Sequence, residues 1–142
     1  MIDHSEQCVM EAAAVKLLLV DDSDIVRTSL RNMFKDSPLV HVVGDTGEPA
    51  DVQRLFDSLE PDIVVLDVHM GKANGIDIAQ ELRRRNPNVQ IAILTNYFDP
   101  MTIQRCKAAG AEYVFDKSTE FDLFVQFVEL LAERHSAGST SL

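Results

Sequence analysis

Polar side chains that could bind a metal or take part in group transfer follow four of the short apolar segments of this sequence. They are Asp21, Asp22, Asp67, Thr95 and Lys117. If the three carboxylates meet in one pocket, they repel one another unless a cation lies between them. A hard divalent metal is the simplest solution to that repulsion. Oxygen ligands without a nearby His or Cys favour Mg²⁺ or Mn²⁺ over Zn²⁺.

The apolar segments themselves are typical of buried strands, which are predicted at 16–20, 40–43, 63–66, 91–94 and 113–115. Between them the apolar residues recur with helical periodicity, which predicts helices over 24–36, 48–59, 76–86, 100–109 and 120–134. Helix-start signals agree with these positions. Asp22 or Ser23 can cap the first helix, and Pro49 and Pro100 suit the first turns of two others.

Five strands that alternate with five helices specify a parallel sheet covered on both faces, because each crossover returns the chain to the same end of the sheet. The predicted fold class is therefore doubly wound α/β. In such sheets the ligand site lies beyond the carboxyl ends of the strands, where the polar side chains above should meet. The pattern covers residues 15–134, and we expect mobile tails at 1–14 and 135–142.

Composition narrows the class of protein. The 142 residues, 46% apolar and 25% charged, suit one globular domain. With 13 basic and 23 acidic residues the net charge is −10, which repels nucleic acid and anionic lipid. No apolar run approaches the roughly 20 residues that span a bilayer. We therefore expect a cytoplasmic protein without nucleic-acid or membrane partners.

Two other features of the sequence have ordinary explanations. Cys8 and Cys106 have no zinc-ligand spacing and are expected to be free thiols. The three arginines at 83–85 fall in the last turn of a predicted helix, where they complement the helix dipole. They do not indicate nucleic-acid binding.

Four short motifs occur in order at the spacing of one domain. They are Leu-Val-Asp-Asp-Ser at 19–23, Leu-Asp-Val-His-Met at 66–70 with Gly75 after it, Leu-Thr at 94–95, and Gly-Ala at 110–111 with Lys117. Together they resemble the receiver domain of bacterial two-component response regulators, a CheY-like family. The resemblance implies a (βα)5 flavodoxin-like fold with strand order 2-1-3-4-5.

The resemblance also implies a role for each site residue. Asp67 is the expected phosphoacceptor, Thr95 supplies a hydroxyl to the phosphoryl group, and Lys117 is its cationic partner. In the free state Lys117 is expected to form a salt bridge with Asp67. The implied ligands of Mg²⁺, or alternatively of Mn²⁺, are Asp21, Asp22, Asp67 and the backbone carbonyl of His69.

The predicted function is that of a stand-alone phosphoacceptor in a two-component phosphorelay. Its donor would be a sensor histidine kinase or a histidine phosphotransfer protein. Its output would be a protein, or a second copy of the chain, bound through the fourth helix, the fifth strand and the fifth helix. Such a protein is not an enzyme beyond its own phosphorylation and dephosphorylation.

The sequence departs from the family pattern at four positions: Gly71, Asn96, Val114 and Ser118. Gly71 and Ser118 stand where the family usually has proline, which after the lysine is often cis. Asn96 replaces a small residue and is expected to narrow access to the phosphoacceptor. Val114 stands where the switch aromatic is usual. Strand alternation places its aromatic neighbours on the opposite face, so that switch is expected to be absent or displaced.

Two further groups of residues are candidates for contacts. His69 and Tyr97 each lie two residues past a motif residue, where they are candidates to control the approach of water. In the last helix, one face should pack on the sheet, namely Phe121, Phe124, Val125, Val128 and Leu131. A second apolar stripe is expected to face either outward, as a contact site, or toward a neighbouring element. Its residues are Leu123, Phe127 and Leu130.

Two alternative functions stay open at this point. The first is a degenerate receiver that acts only as a binding module, against which the complete Asp, Asp, Asp, Thr and Lys set argues. The second is a small aspartate-nucleophile phosphatase. Enzymes of that kind use a second acid two residues after the nucleophile, and this chain has His69 there.

Overall fold

A computed structural model of the chain describes residues 14–140 as a parallel sheet with helices on both faces. The strands are β1 (Val15–Val20), β2 (Val40–Thr46), β3 (Ile63–Leu66), β4 (Gln90–Thr95) and β5 (Tyr113–Asp116). The helices are α1 (Asp24–Phe34), α2 (Pro49–Leu59), α3 (Gly75–Arg85), α4 (Pro100–Ala108) and α5 (Phe121–Thr140). The strand order β2-β1-β3-β4-β5, parallel throughout, confirms the predicted fold class.

The core consists of two apolar layers, one on each face of the sheet. Alternate residues of a strand point to opposite faces, so each central strand supplies both layers. Leu18 and Leu66 pack on the side covered by α2, α3 and α4, and Leu19 and Val65 pack against α1 and α5. The central strands therefore have no polar face, which explains why their sequences are uninterrupted apolar runs.

The helices begin where the sequence predicts. The Ser23 hydroxyl caps α1 by accepting the Val26 N–H at 3.3 Å, and Pro49 and Pro100 occupy first-turn positions of α2 and α4. The helix α5 continues to Thr140, past its predicted end at 134, and no proline follows to stop it. None of the helices in residues 14–140 combines the length and apolarity needed to cross a bilayer.

The predictions for the two ends of the chain have different outcomes. The predicted C-terminal tail, 135–142, is helical as far as residue 140. The predicted N-terminal tail, 1–14, lies outside the described residues except at its last position, and so does Cys8. Cys106 is a free thiol on the buried face of α4.

The aromatic residues of β5 lie on the α5 side of the sheet, as strand alternation predicts. Val114 packs on the opposite side, while Phe115 contacts Phe124 of α5 with ring centroids 5.4 Å apart. Within the second apolar stripe of α5, Phe127 faces a neighbouring element, which is one of the two predicted alternatives. Its ring lies 4.4 Å from that of Tyr113, so it is partly buried against the strand. Leu123 and Leu130 are exposed, which is the other alternative.

The hairpin between β3 and α3 was not predicted. It pairs His69–Met70 antiparallel with Ala73–Asn74, and Gly71 at its turn has φ +60°. The Asn74 side chain at the end of the hairpin caps α3 by accepting the Ile76 N–H at 2.8 Å. The hairpin therefore connects the end of β3 directly to the start of α3.

Arg83 joins α3 to the loops that precede β4 and β5. Its Nη1 donates to the carbonyl oxygens of Pro87 at 2.8 Å and Val89 at 2.6 Å. Its Nε and Nη2 donate to the carbonyl of Gly110 at 3.2 and 2.9 Å, and Nη2 also pairs with Glu112. Arg83 thus satisfies backbone acceptors as well as adding charge to the end of the helix.

Replacing Arg83 with methionine should lower the free energy of unfolding by about 1–3 kcal/mol, because partly buried carbonyls lose their donors. Arg84→Met is the matched control, since Arg84 is largely exposed and pairs with Glu81 within the helix. An exposed pair of that kind contributes less than about 1 kcal/mol. Urea unfolding measures both changes, and equal losses in the two variants would contradict the assigned role.

Candidate functional site

The predicted site residues meet at the carboxyl edge of the sheet. Asp21 follows β1, Asp67 follows β3, Thr95 ends β4, and Lys117 follows β5. The two aspartates and Thr95 are buried, with 5%, 8% and 0% of their surfaces exposed. Polar side chains are rarely buried together without partners. Their partners therefore define the site.

Lys117 joins two of the buried carboxylates. Its Nζ lies 2.7 Å from Asp21 Oδ2 and 2.9 Å from Asp67 Oδ2. Burial alone lowers the pKa of Lys117, but hydrogen bonds and attraction to Asp21 and Asp67 outweigh it and raise the pKa above its ordinary value. The predicted salt bridge to Asp67 is present, together with one to Asp21.

Asp21 is the most constrained of the carboxylates. Burial raises its pKa, and this effect exceeds the opposing hydrogen bonds from Lys117 and from the Ser23 N–H. The negative charge of Asp67 nearby raises the pKa further. The Ser23 N–H donates to Asp21 Oδ1 at 2.9 Å. Ionised Asp21 is therefore held in place at an energetic cost.

Three carboxylates are placed to share a cation. Asp21, Asp22 and Asp67 each offer an oxygen, and these atoms lie within 4.8 Å of one another. Asp22 is exposed, and its Oδ2 accepts the Gly71 N–H at 3.3 Å. A set of oxygen donors that is open to solvent on one side fits a hard divalent ion that keeps several waters. The carbonyl of His69 stays a predicted ligand.

Gly75 allows the chain to turn back tightly after Asp67. Its N–H donates to the Val68 carbonyl at 2.6 Å. A Cβ at this position would lie 1.8 Å from the carbonyl oxygen of Asp67, a separation that no side chain tolerates. The spacing between the aspartate and the glycine, which the sequence motif contains, therefore reflects a backbone contact beside the carboxylate.

Thr95 connects the site to an exposed aromatic residue. Its Oγ1 accepts the Tyr97 N–H at 3.0 Å, which leaves the hydroxyl proton available to another acceptor. The ring of Tyr97 lies 4.1 Å from the ring of His69, with the planes inclined at 48°. This ring pair links the loop after β4 to the loop after β3. Asn96 beside it is exposed, and its effect on access stays a prediction.

The loop after Lys117 takes an ordinary backbone geometry. Every peptide bond within residues 14–140 is trans, including the one before Ser118. The Ser118 N–H and hydroxyl donate to Asp116 Oδ1 at 3.0 and 2.9 Å. These bonds, the backbone one first, lower the pKa of Asp116. Serine thus closes this turn where the family usually has proline.

Arg27 also contacts the site, although no sequence motif contains it. Its Nη1 donates to the backbone carbonyl of Asp21 at 2.5 Å. The residue lies one turn into α1, where an arginine is ordinarily a solvent-facing residue. The helical periodicity of the sequence gives no sign of this contact.

Known proteins resemble the chain over most of its length. The response regulator receiver domain family matches residues 17–129. The DNA-binding transcriptional activator DevR/DosR of Mycobacterium tuberculosis is 35% identical over 97 residues, which are 68% of this chain and 45% of that protein. A protein-glutamate methylesterase/protein-glutamine glutaminase of Hydrogenovibrio crunogenus is 33% identical over 102 residues, or 70% of this chain and 27% of that one. The chain thus spans less than half of either relative.

A solved structure has the same architecture. A LuxR-family two-component response regulator from Aurantimonas sp. SI85-9A1 superposes with a TM-score of 0.77 at 28% identity, covering 84% of this chain and 86% of that one. The receiver domain of CheB from Thermotoga maritima, at 20% identity and a TM-score of 0.73, shares the fold.

The Asp21→Asn variant should be more stable than the parent at pH 7 when no divalent metal is present. The raised pKa means that folded Asp21 binds a proton more readily than unfolded Asp21, whose ordinary value is 3.8. Stability therefore falls as pH rises from 3.8 through the higher folded value, and the asparagine variant escapes this loss. Its amide oxygen still accepts from Lys117.

Thermal unfolding in EDTA between pH 3 and pH 7 measures the difference. We expect the advantage of Asp21→Asn to shrink as the buffer pH falls from 7 toward that ordinary value. Asp22→Asn is the control, because it removes an equal charge from an exposed side chain. An advantage of Asp21→Asn that does not depend on pH would contradict the burial argument.

Proposed function

The chain belongs to the family of response regulator receiver domains, and we propose that it takes a phosphoryl group onto Asp67 from a phosphohistidine donor. That donor would be a sensor histidine kinase or a histidine phosphotransfer protein. The observation that best supports the proposal is the buried contact of Lys117 with Asp67 and Asp21, beside the exposed carboxylate of Asp22. A nucleophile, a cation and candidate metal ligands thus lie in one site.

In the proposed step a carboxylate oxygen of Asp67 attacks the phosphorus atom. The bond from phosphorus to the imidazole nitrogen breaks, its electron pair leaves with the imidazole, and an acyl phosphate forms on Asp67. Such a transfer needs little beyond positioning and charge stabilisation. Lys117 stays bound to Asp21 and turns from the esterified oxygen to a phosphoryl oxygen. The Thr95 hydroxyl proton, which Tyr97 does not use, donates to another phosphoryl oxygen.

The metal proposed for the site is Mg²⁺, with Mn²⁺ as an alternative. Its ligands would be Asp21, Asp22, Asp67 and the carbonyl of His69. When bound, such an ion offsets the repulsion between the anionic nucleophile and its anionic donor. The exposed position of Asp22 suits the solvent-facing side of that ligand set.

The two alternative functions receive less support. A degenerate receiver would not need Lys117 to be buried against Asp67 with Thr95 beside them. A phosphatase would need an acid within reach of the nucleophile to protonate a leaving group. His69 occupies the position two residues on, and its ring contacts Tyr97 instead.

The proposed output is a protein contact through α4, β5 and α5. Exposed apolar residues occur in the loop before α4, in α4 and in α5, namely Tyr97, Phe98, Met101, Leu123 and Leu130. The relatives named above are an activator that binds DNA and a methylesterase, but this chain matches only part of each. We therefore assign neither activity to it.

Incubation with acetyl phosphate and Mg²⁺ should label the protein once per chain, and Asp67→Asn should abolish the label. EDTA should reduce labelling at least about tenfold, because the ion supports transfer. The exposed residue Asp122 of α5 provides a matched control, and Asp122→Asn should be labelled like the parent. Intact-protein mass spectrometry measures the label.

Each outcome of that experiment has a defined meaning. Undiminished labelling of Asp67→Asn would overturn the assignment of the phosphoacceptor. Continuous release of phosphate without a stable label would favour the phosphatase. Absence of any label on the parent would favour the binding module.

Beryllofluoride, a phosphoryl mimic, should change amide hydrogen exchange in residues 96–99 and at the start of α4. When the Thr95 hydroxyl turns toward the mimic, the Tyr97 N–H loses an acceptor. Thr95→Val should bind the mimic more weakly and lose this response. Thr102→Val, which removes a hydroxyl paired with Asp99 at 2.8 Å, should retain it. A change in hydrogen exchange confined to α1 and α2 would contradict the proposed coupling from Thr95 to Tyr97 and α4.

A further inference from the structure

We propose that Arg27 is a positioning residue for the metal site, because it holds the peptide group that joins Asp21 to Asp22. The inference rests on the proposed function, since it takes these two aspartates as metal ligands. Arg27 Nη1 donates to the carbonyl oxygen of Asp21, which belongs to the peptide group between the two aspartates, at 2.5 Å. The backbone of both aspartates is thereby fixed by one contact.

The guanidinium of Arg27 is held from three directions. Besides the Asp21 carbonyl, Nη2 pairs with Asp24 in the first turn of α1, and Nε lies 3.3 Å from Asp45 Oδ1 of β2. Only 15% of the Arg27 side chain is exposed. A planar guanidinium with donors in a fixed fork suits such an arrangement, whereas a lysine ammonium does not reproduce it.

The turn after β2 leaves room for this guanidinium. Gly47 lies against it, and a Cβ there would be 2.6 Å from Arg27 Nη1 and 3.3 Å from the Asp21 carbonyl oxygen. The glycine therefore lets the turn approach the contact closely. With the turn on one side and α1 on the other, the guanidinium has little freedom to move away from the peptide.

The charges around Arg27 cancel. Arg31 Nη1 lies 2.6 Å from Asp45 Oδ2, so two guanidiniums, those of Arg27 and Arg31, face the two carboxylates of Asp24 and Asp45. A lone cation beside a metal site would repel a divalent ion. The balanced cluster avoids that repulsion, so the role of Arg27 is to hold the peptide group in place.

Whether metal affinity rises or falls when Arg27 is replaced distinguishes a positioning role from a purely electrostatic one. If Arg27 acted only through charge, its removal would leave excess negative charge near the site and tighten divalent-ion binding. If it positions the acidic pair, its removal should weaken binding. Outer-shell partners of metal ligands typically contribute 10–100-fold to metal affinity.

The test is Mn²⁺ affinity, measured by electron paramagnetic resonance of the free ion. We expect Arg27→Met to bind Mn²⁺ about tenfold more weakly or worse. Arg27→Lys should recover only part of that loss. Arg31→Met is the matched control, since it removes an equal charge from the same cluster without touching the Asp21 peptide, and it should bind at least as tightly as the parent. Thermal unfolding without metal checks that each variant is folded.

A second variant keeps the test decisive if Arg27→Met does not fold. Gly47→Ala retains every charge and displaces the guanidinium, so it too should weaken Mn²⁺ binding. Equal or tighter binding by Arg27→Met, or by Gly47→Ala in its place, would overturn the inference while the parent still binds. A parent that fails to bind Mn²⁺ would instead overturn the proposed metal site itself.

Discussion

A single lysine ammonium offsets two buried carboxylates, and the geometry of the site depends on this ion pair. Removing charges from water is costly, and close pairing in a buried site recovers the cost only when the contacts are good. Lys117 meets that condition with Nζ at 2.7 Å from Asp21 and 2.9 Å from Asp67. Without it the aspartates would repel one another and separate. The chain thus keeps its acidic cluster assembled before any divalent ion binds.

The ion pair in turn requires the parallel sheet. Lys117 and Asp21 are 96 residues apart in sequence, and the strands that end at them are separated in the sheet by β3 and β4. Only parallel strands bring four carboxyl ends to one edge. The helices that return the chain also bury both faces of those strands, which removes solvent from beneath the carboxylates. The same burial raises the pKa of Asp21 because it disfavours the ionised carboxylate, a cost that a bound cation would offset.

Sequence patterns were sufficient for the strands, the helix starts and the residues that meet at the sheet edge. These depend on local apolar runs and on where each run stops. The hairpin of His69–Met70 and Ala73–Asn74 escaped prediction because two-residue strands have no periodicity. The contacts of Arg27 and Arg83 escaped because they depend on backbone carbonyls and on side chains of other elements, which helical periodicity does not show. For Phe127 the sequence left two directions open, outward or toward a neighbouring element, because helical periodicity cannot show that Tyr113 packs beside it.

The packing of β5 constrains how a change at the site reaches the surface. Phe115 contacts Phe124 and Phe127 of α5, so this ring is held on the face away from α4. Val114, on the α4 side, has no ring to move. The direct connection outward is therefore the bond from the Tyr97 N–H to Thr95 Oγ1. Because Thr95 is fully buried and Tyr97 is 52% exposed, a shift of that hydroxyl would reach the apolar surface at the start of α4 within two residues.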